Sequence, residues 1–180
     1  MTTYIKLLEK TICKKQVYKG GAVNFNTDTV SIPNNKRAVR EYLDHPGAVA
    51  ALPIIGNCVV MVRQFRYPVK EVSWEIPAGK LHSPKDNPIK RIKKELKEET
   101  GYTAKTFKKL LTFWPCCAFS NEILHIYVAK NLKPGKPSPD EDEFIQTKII
   151  SFNRALNMIK TGNIKDSKTI IALLAYKKIK

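Results

Sequence analysis

The stretch KRIKKELKEETGY, residues 90–102, sets five basic side chains and three glutamates within thirteen positions. Asn87 ahead of it is a ready N-cap, and Pro88 suits the first helical position, where its missing N–H costs nothing. Gly101 is placed to end the helix in a left-handed conformation. At ~100° per residue, Ile89, Ile92 and Leu96 fall in a stripe about 60° wide, the face expected to be buried. Lys90, Lys93, Lys94 and Lys97 project to one side of that stripe or opposite it. Glu95 and Glu99 lie four apart on its other flank, and Glu98 lies farther round toward solvent. Two carboxylates at i and i+4 on a partly buried edge repel each other, so something must offset them. A hard divalent cation would do so, since it takes oxygen ligands and is commonly held by one or two carboxylates plus substrate phosphates. Pairing along the helix, Arg91 with Glu95 and Lys94 with Glu98, would also do so. The helix alone leaves both readings open.

Working outward, VSWEI (72–76) reads as a short strand ended by Pro77. GAVAALPII (47–55) and CVVMVRQF (58–65) are apolar strand runs joined at Gly56-Asn57, a hairpin signal. Pro46-Gly47 separates them from residues 16–43, where QVYKG, AVNFNTDTVSI and RAVREYL read as β with a turn at PNNK. Downstream, TFKKLLTF (106–113), EILHIYVA (122–129) and FIQTKII (144–150) read as strands, and NRALNMIKTG (153–162) as a short helix ending at Gly162. Asp166 or Ser167 is expected to cap a last helix whose apolar face includes Ile170, Ile171 and Leu174. The plan is a mixed α/β domain over residues 46–180 preceded by a β-rich segment, 1–45.

Composition narrows the function classes. The chain of 180 residues carries 32 basic against 16 acidic side chains, a net charge of +16 that attracts anions. The lysines are spread along the chain without an aromatic-interleaved basic motif, so nucleic acid is not expected as the main partner, whereas steering of a small phosphorylated substrate fits. No apolar run approaches the ~20 residues needed to span a bilayer, so no membrane partner is expected. Residues 1–15 lack the apolar core of a secretory signal. The four cysteines include the adjacent Cys116 and Cys117 but no C-x-x-C pair, which fits a reduced, cytoplasmic setting better than a disulfide framework. His45, His82 and His125 show no zinc-ligand spacing.

Taken with the residues before it, GKLHSPKDNPIKRIKKELKEETGY (79–102) resembles the Nudix box, G-x5-E-x7-R-E-U-x-E-E-x-G-U with U an apolar residue. Glu95, Leu96, Glu98, Glu99, Gly101 and Tyr102 fall at the family's spacings. One extra residue follows Gly79, so Asp86 takes the place of the box's first glutamate, and Lys94 stands where the family has arginine. The family's brace between those two positions is therefore expected to be looser, because lysine lacks the planar fork that grips a carboxylate through two bonds. HPGAVAALPI, VRQFRYPV, SWEIPAGK, TFWPCCAFSNEILHIYVA, DEDEFIQ and GNIKDSKTIIALL extend the likeness over roughly residues 17–175, toward the ADP-ribose pyrophosphatase branch. Ala118 stands where relatives usually carry glycine, a position that would be strained if it required a positive φ.

The resemblance implies a Nudix α/β/α sandwich with a mixed sheet, and a homodimer in which N-terminal β-segments are exchanged. It implies Mg²⁺-dependent cleavage of ADP-ribose to AMP and ribose 5-phosphate, with Mn²⁺ a possible substitute and other nucleoside diphosphate sugars as alternative substrates. Glu95, Glu99 and the carbonyl of Ala78 would hold metal, with Glu98 a weaker candidate acting through water. The loop SPDEDEF (138–144) holds one quarter of all acidic residues in positions 140–143, and Glu143, then Glu141, is the expected base. Arg63 and Arg66 resemble arginines that grip phosphate or terminal ribose, and Glu75 resembles a contact to substrate hydroxyls. Tyr18 and Phe25 are candidates to stack on adenine across the dimer. A catalytically silent nucleotide- or nucleic-acid-binding module is the competing class. Retention of Glu95, Glu99 and Glu143 argues against it, because anion binding alone would favour their loss.

Overall fold

A computed structural model describes residues 7–179. Residues 1–6, which open the stretch read above as no secretory leader, lie outside the described residues. The chain divides into two compact units, residues 1–46 with 114–122, and residues 47–113 with 123–180.

In the N-terminal unit, β1 (Lys10–Cys13) and β2 (Gln16–Lys19) lie end to end along one edge of β3 (Asn24–Ser31). The other edge of β3 pairs antiparallel with β4 (Arg37–Asp44) over its whole length. The connecting PNNK turn forms as its residues suggest: Asn35 takes a φ of 63° and its N–H bonds the Ile32 carbonyl at 2.8 Å. Residues 114–122, expected from the sequence to belong to the second domain, join this unit through β4. The Leu43 N–H bonds the Phe119 carbonyl at 2.9 Å, and Asn121 Nδ2 donates to Asp44 Oδ1 at 2.6 Å. Among the described residues the positive φ values outside glycine belong to Asn35, Lys70 and Asn131, so Ala118 carries no such strain.

The larger unit is built on one central strand. β5 (Ala48–Ile55) pairs parallel with β10 (Leu124–Lys133) on one edge. Its other edge takes β8 (Ala78–Lys80) at one end and β6 (Cys58–Arg66) at the other, both antiparallel. Beyond β10 comes β9 (Thr103–Phe113), while β6 also carries β11 (Gln146–Ser151) and β7 (Glu71–Glu75), giving a mixed sheet of seven strands. Gly56, at φ 54°, turns the β5–β6 hairpin at the predicted place. The near-continuous apolar run of β5 reflects burial on both faces. Ala48, Ala50 and Leu52 face a core completed by α2 (Phe152–Lys160) and α3 (Ser167–Ile179), whereas Val49 and Ala51 meet Ile92 and Leu96 of α1 (Pro88–Thr100). The layering is α/β/α.

Helix α1 starts and stops where the sequence says. Asn87 Oδ1 accepts from the N–H groups of Ile89 and Lys90 at 3.0 and 3.2 Å, and Gly101 closes the helix at φ 76°. Ile89 departs from expectation. It remains 39% exposed while Ile92 and Leu96 are fully buried. Its angle round the helix suits burial, so the exposure follows from its place along the axis, in the first turn. In α3, Asp166 rather than Ser167 provides the cap, its Oδ2 accepting from Thr169 N at 3.0 Å. Ile170 and Ile171 pack against the core, but Leu174 is 47% exposed and Thr169, Ala172, Leu173 and Tyr176 form the buried face. No helix among the described residues is long and apolar enough to cross a membrane.

Candidate active site

Three short pieces of chain meet at the inner flank of α1. β7 ends on Glu75, Pro77 turns the chain, and β8 then runs Ala78 and Gly79 past the helix. The Glu95 carboxyl lies so close to Gly79 that a Cβ there would fall inside it. One turn on, Glu99 Oε2 accepts the Ala78 N–H at 3.3 Å. Both glutamates are buried. Burial first, then the charges of Glu98 and Glu143 working against Arg91, push the Glu95 carboxyl up to about 7. Glu99 is pushed to about 8, again by burial first and then by Glu95 and Glu143, despite the Ala78 hydrogen bond.

Both helical pairings anticipated from the sequence form, Arg91 Nη2 to Glu95 Oε1 at 2.5 Å and Lys94 Nζ to Glu98 Oε1 at 3.1 Å. They do not account for the flank. The Arg91 contact is short but off the hydrogen-bonding direction, so Glu95 Oε1 is buried without a hydrogen-bond donor, and Glu99 has no ion-pair partner among the described residues. Two desolvated carboxylates, one orphan oxygen and a strand with no side chain in the way fit a hard divalent cation. Among the described residues no three His, Cys, Asp or Glu side chains close a full metal cage. A cation at Glu95 and Glu99 therefore completes its oxygen shell from backbone, water or substrate.

The acidic loop approaches the same helix. The Ser138 N–H bonds the Glu98 carbonyl at 2.8 Å and Thr147 Oγ1 donates to the Glu99 carbonyl at 3.1 Å, so both roots of the loop are tied to α1. Gly101 and Gly135 pass each other with no space for a Cβ on Gly101. Glu143 and Glu141 are exposed, Glu143 caps a turn through Asp140, and its charge acts on both Glu95 and Glu99.

Arg66 and Glu75 form a bidentate pair, with Nε to Oε1 at 2.7 Å and Nη2 to Oε2 at 2.6 Å. Lys168, unremarked in the sequence reading, joins Glu75 Oε2 at 2.5 Å and Asp166 Oδ1 at 2.9 Å. Burial would raise Glu75, but Arg66 and Lys168 hold it down at about 2. The charges of Arg66 and Glu99 act on each other, as do those of Lys168 and Glu99, which puts this cluster beside the paired carboxylates. Lys168 carries no spacing signal of its own; only the proximity of Asp166 to it in KDSK hinted at a charged helix start.

Arg63 lies over the Trp74 ring, 5.5 Å from its centroid, on the exposed side of β6. Asp86 does not pair with Lys94. Its Oδ2 accepts from the N–H groups of His82 and Ser83 at 2.7 and 3.1 Å, while Lys94 is committed to Glu98. The extra residue after Gly79 thus turns the acid inward onto its own loop. Tyr18 and Phe25 face each other across the β2–β3 ladder of the N-terminal unit, Tyr18 exposed and Phe25 half-buried.

A box-bearing helix on a mixed sheet, with two buried carboxylates against a glycine strand, defines the class. The NUDIX domain profile matches residues 44–173, and the chain belongs to the Nudix family. Over 168 residues it is 42% identical to the methanol dehydrogenase activator of Bacillus methanolicus, covering 92% of this chain and 90% of that one. Over 170 residues it is 38% identical to the ADP-ribose pyrophosphatase of Bacillus subtilis (strain 168), covering 93% and 91%. The crystal structure of an ADP compounds hydrolase matches with a TM-score of 0.83 at 17% identity, covering 96% of this chain and 94% of that one, which shows the fold.

Proposed function

We propose that the chain hydrolyses the diphosphate linkage of ADP-ribose, giving AMP and ribose 5-phosphate. The observation that carries this reading is the pair Glu95 and Glu99, buried without adequate counter-charge against Gly79 and Ala78, beside an arginine-bearing cavity. The 38% identity to a protein named ADP-ribose pyrophosphatase supports the substrate. Mg²⁺, with Mn²⁺ a possible substitute, would be held by Glu95, Glu99 and the Ala78 carbonyl, with Glu98 acting through water. When bound it neutralises phosphate oxygens and lowers the pKa of water. Glu143 takes the proton of the attacking water, with Glu141 the second choice, and the P–O bond to the leaving phosphate breaks. Arg66 grips the diphosphate, Arg63 assists at the far end of the substrate, and Glu75 contacts hydroxyls. Gly79 and Gly101 keep strand and loop close to α1, while Asp86 braces the loop ahead of the helix through the His82 and Ser83 N–H groups and Lys94 braces the helix through Glu98.

Residues 1–45 serve dimerisation in this reading and 46–180 catalysis. The exchanged N-terminal strands of a homodimer bring Tyr18 and Phe25 to adenine, and the enzyme works in the cytoplasm. Incubation with ADP-ribose and Mg²⁺ tests the proposal: AMP and ribose 5-phosphate are expected in equal amounts, and no AMP would overturn it. A panel of nucleoside diphosphate sugars separates ADP-ribose from related substrates. The 42% identity to a dehydrogenase activator favours a second reading, that the chain stimulates a dehydrogenase, tested by adding it to methanol dehydrogenase.

A further inference from the structure

Glu75 is a buried carboxylate with two cations on it, and the two are held differently. Oε2 accepts from both Arg66 Nη2 and Lys168 Nζ, at 2.6 and 2.5 Å, while Oε1 takes the Arg66 Nε–H at 2.7 Å. The Lys168 side chain is 12% exposed and is also tied to Asp166 at 2.9 Å. Asp166 Oδ2 accepts from the backbone N and the hydroxyl of Thr169 at 3.0 and 2.5 Å, and that hydroxyl accepts the Ile76 N–H at 2.9 Å. Lys168 is thus fastened through the first turn of α3 to the residue that follows Glu75. Arg66 has no such second anchor among the described residues. Its side chain is 45% exposed and borders a cavity of about 530 Å³ lined also by Val72, Ser73, Lys165 and Lys168.

We propose that Lys168 is a positioning residue: it keeps Glu75 neutralised so that Arg66 can leave the ion pair and close on the substrate diphosphate. This rests on the reading of Arg66 as the phosphate grip. A guanidinium with its fork spent on Glu75 cannot present the same fork to phosphate. Releasing it from an otherwise unpaired carboxylate would strand a buried charge, which is strongly disfavoured. With Lys168 in place, Glu75 keeps a cation at 2.5 Å throughout, and the exposed partner is the one free to move into the cavity. Without Lys168, Arg66 is locked.

Lys168→Met and Lys168→Arg, assayed with ADP-ribose and Mg²⁺, provide the test. In Lys168→Met we expect KM to rise about tenfold or more with kcat within about threefold of wild type. Lys168→Arg should restore most of the affinity, because a second cation again neutralises Glu75 when Arg66 leaves. A loss confined to kcat, or arginine serving no better than methionine, overturns the proposal. A second readout needs no substrate: solvent exchange of the Arg66 Nε–H, followed by NMR on ¹⁵N-arginine-labelled protein, slows in Lys168→Met. Unchanged or faster exchange in the folded variant also overturns it. Should Lys168→Met fail to fold, Lys168→Gln is used with the same criteria. If wild type produces no AMP, the function proposal fails, while the exchange measurement still decides whether Lys168 governs Arg66.

Discussion

Glu95 and Glu99 occupy positions on α1 that packing alone would give to apolar side chains. Their shared burial, with Arg91 against Glu95 and no ion-pair partner for Glu99 among the described residues, makes the metal-free protein carry repulsion that a bound cation would relieve. Glu99→Gln keeps the shape and the acceptor for the Ala78 N–H but removes one of the two charges. Turnover of ADP-ribose should fall by about 10²-fold or more, while the metal-free protein at pH 9, above the value of about 8 for Glu99, should melt higher by roughly 2–4 °C. A wild-type rate in that variant would sink the metal assignment. Glu75 behaves oppositely. Its carboxyl is held at about 2 against an ordinary value of 4.5. A carboxylate with a depressed folded pKa stabilises the fold above the unfolded value, and that contribution is lost as pH falls through the folded one. The stability of wild type relative to Glu75→Gln, read from denaturant melts, should therefore be constant above about pH 5 and shrink between about pH 4.5 and 2, by on the order of 3 kcal/mol. An unchanged difference across that window would contradict the ion-pair cluster. Glu95 and Glu99 were legible in the sequence because one helix sets their spacing. Lys168 was not, because 93 residues separate it from Glu75 and only the tertiary fold joins them.

At the scale of elements, the sequence was readable where local chemistry chooses the structure. Asn87, Pro88 and Gly101 mark the ends of α1 because capping is decided within a few residues. The β5 run is apolar on both faces, which signals a central strand even before its partners are known. The α3 segment TIIALLAY is apolar all round, so its periodicity could not tell Leu173 from Leu174, and only the packing against β-strands does. β1 and β8, with four and three residues, are too short to show alternation and exist because β3 and β5 offer them edges. Gly79 is a different failure. Nothing in its neighbours demands glycine; the demand comes from the Glu95 carboxyl pressed against it. The family pattern records that demand, while propensity does not.

For the whole molecule, the net charge of +16 was the most visible property and the least specific. It bears on encounter, not on chemistry: a basic protein draws a dianionic diphosphate from a distance, and salt screens that attraction over a Debye length of ~8–10 Å near physiological strength. Raising ionic strength from about 20 to 300 mM should lower kcat/KM for ADP-ribose several-fold with kcat nearly unchanged, measured by initial rates across a salt series. A salt-independent kcat/KM would show that the charge plays no part in capture. Residues 114–122 are not legible as part of the N-terminal unit because their tie to β4 is a single parallel bridge at Ser120, a few backbone bonds and the Asn121–Asp44 side-chain bond, with no periodic pattern behind it. The roots of the acidic loop have a longer reach than geometry. Ser138 and Thr147 are fastened to the successive carbonyls of Glu98 and Glu99, so the span between them is a cassette clipped to one helix end. Lengthening such a span is cheap, at about 0.6 kcal/mol per doubling of its length. Moving Glu95 or Glu99, by contrast, means rebuilding the strand beneath them. Descendants of this scaffold can therefore vary the length and sequence of the cassette around its acid while the helix glutamates stay fixed, and divergence between pyrophosphatases should concentrate in the cassette.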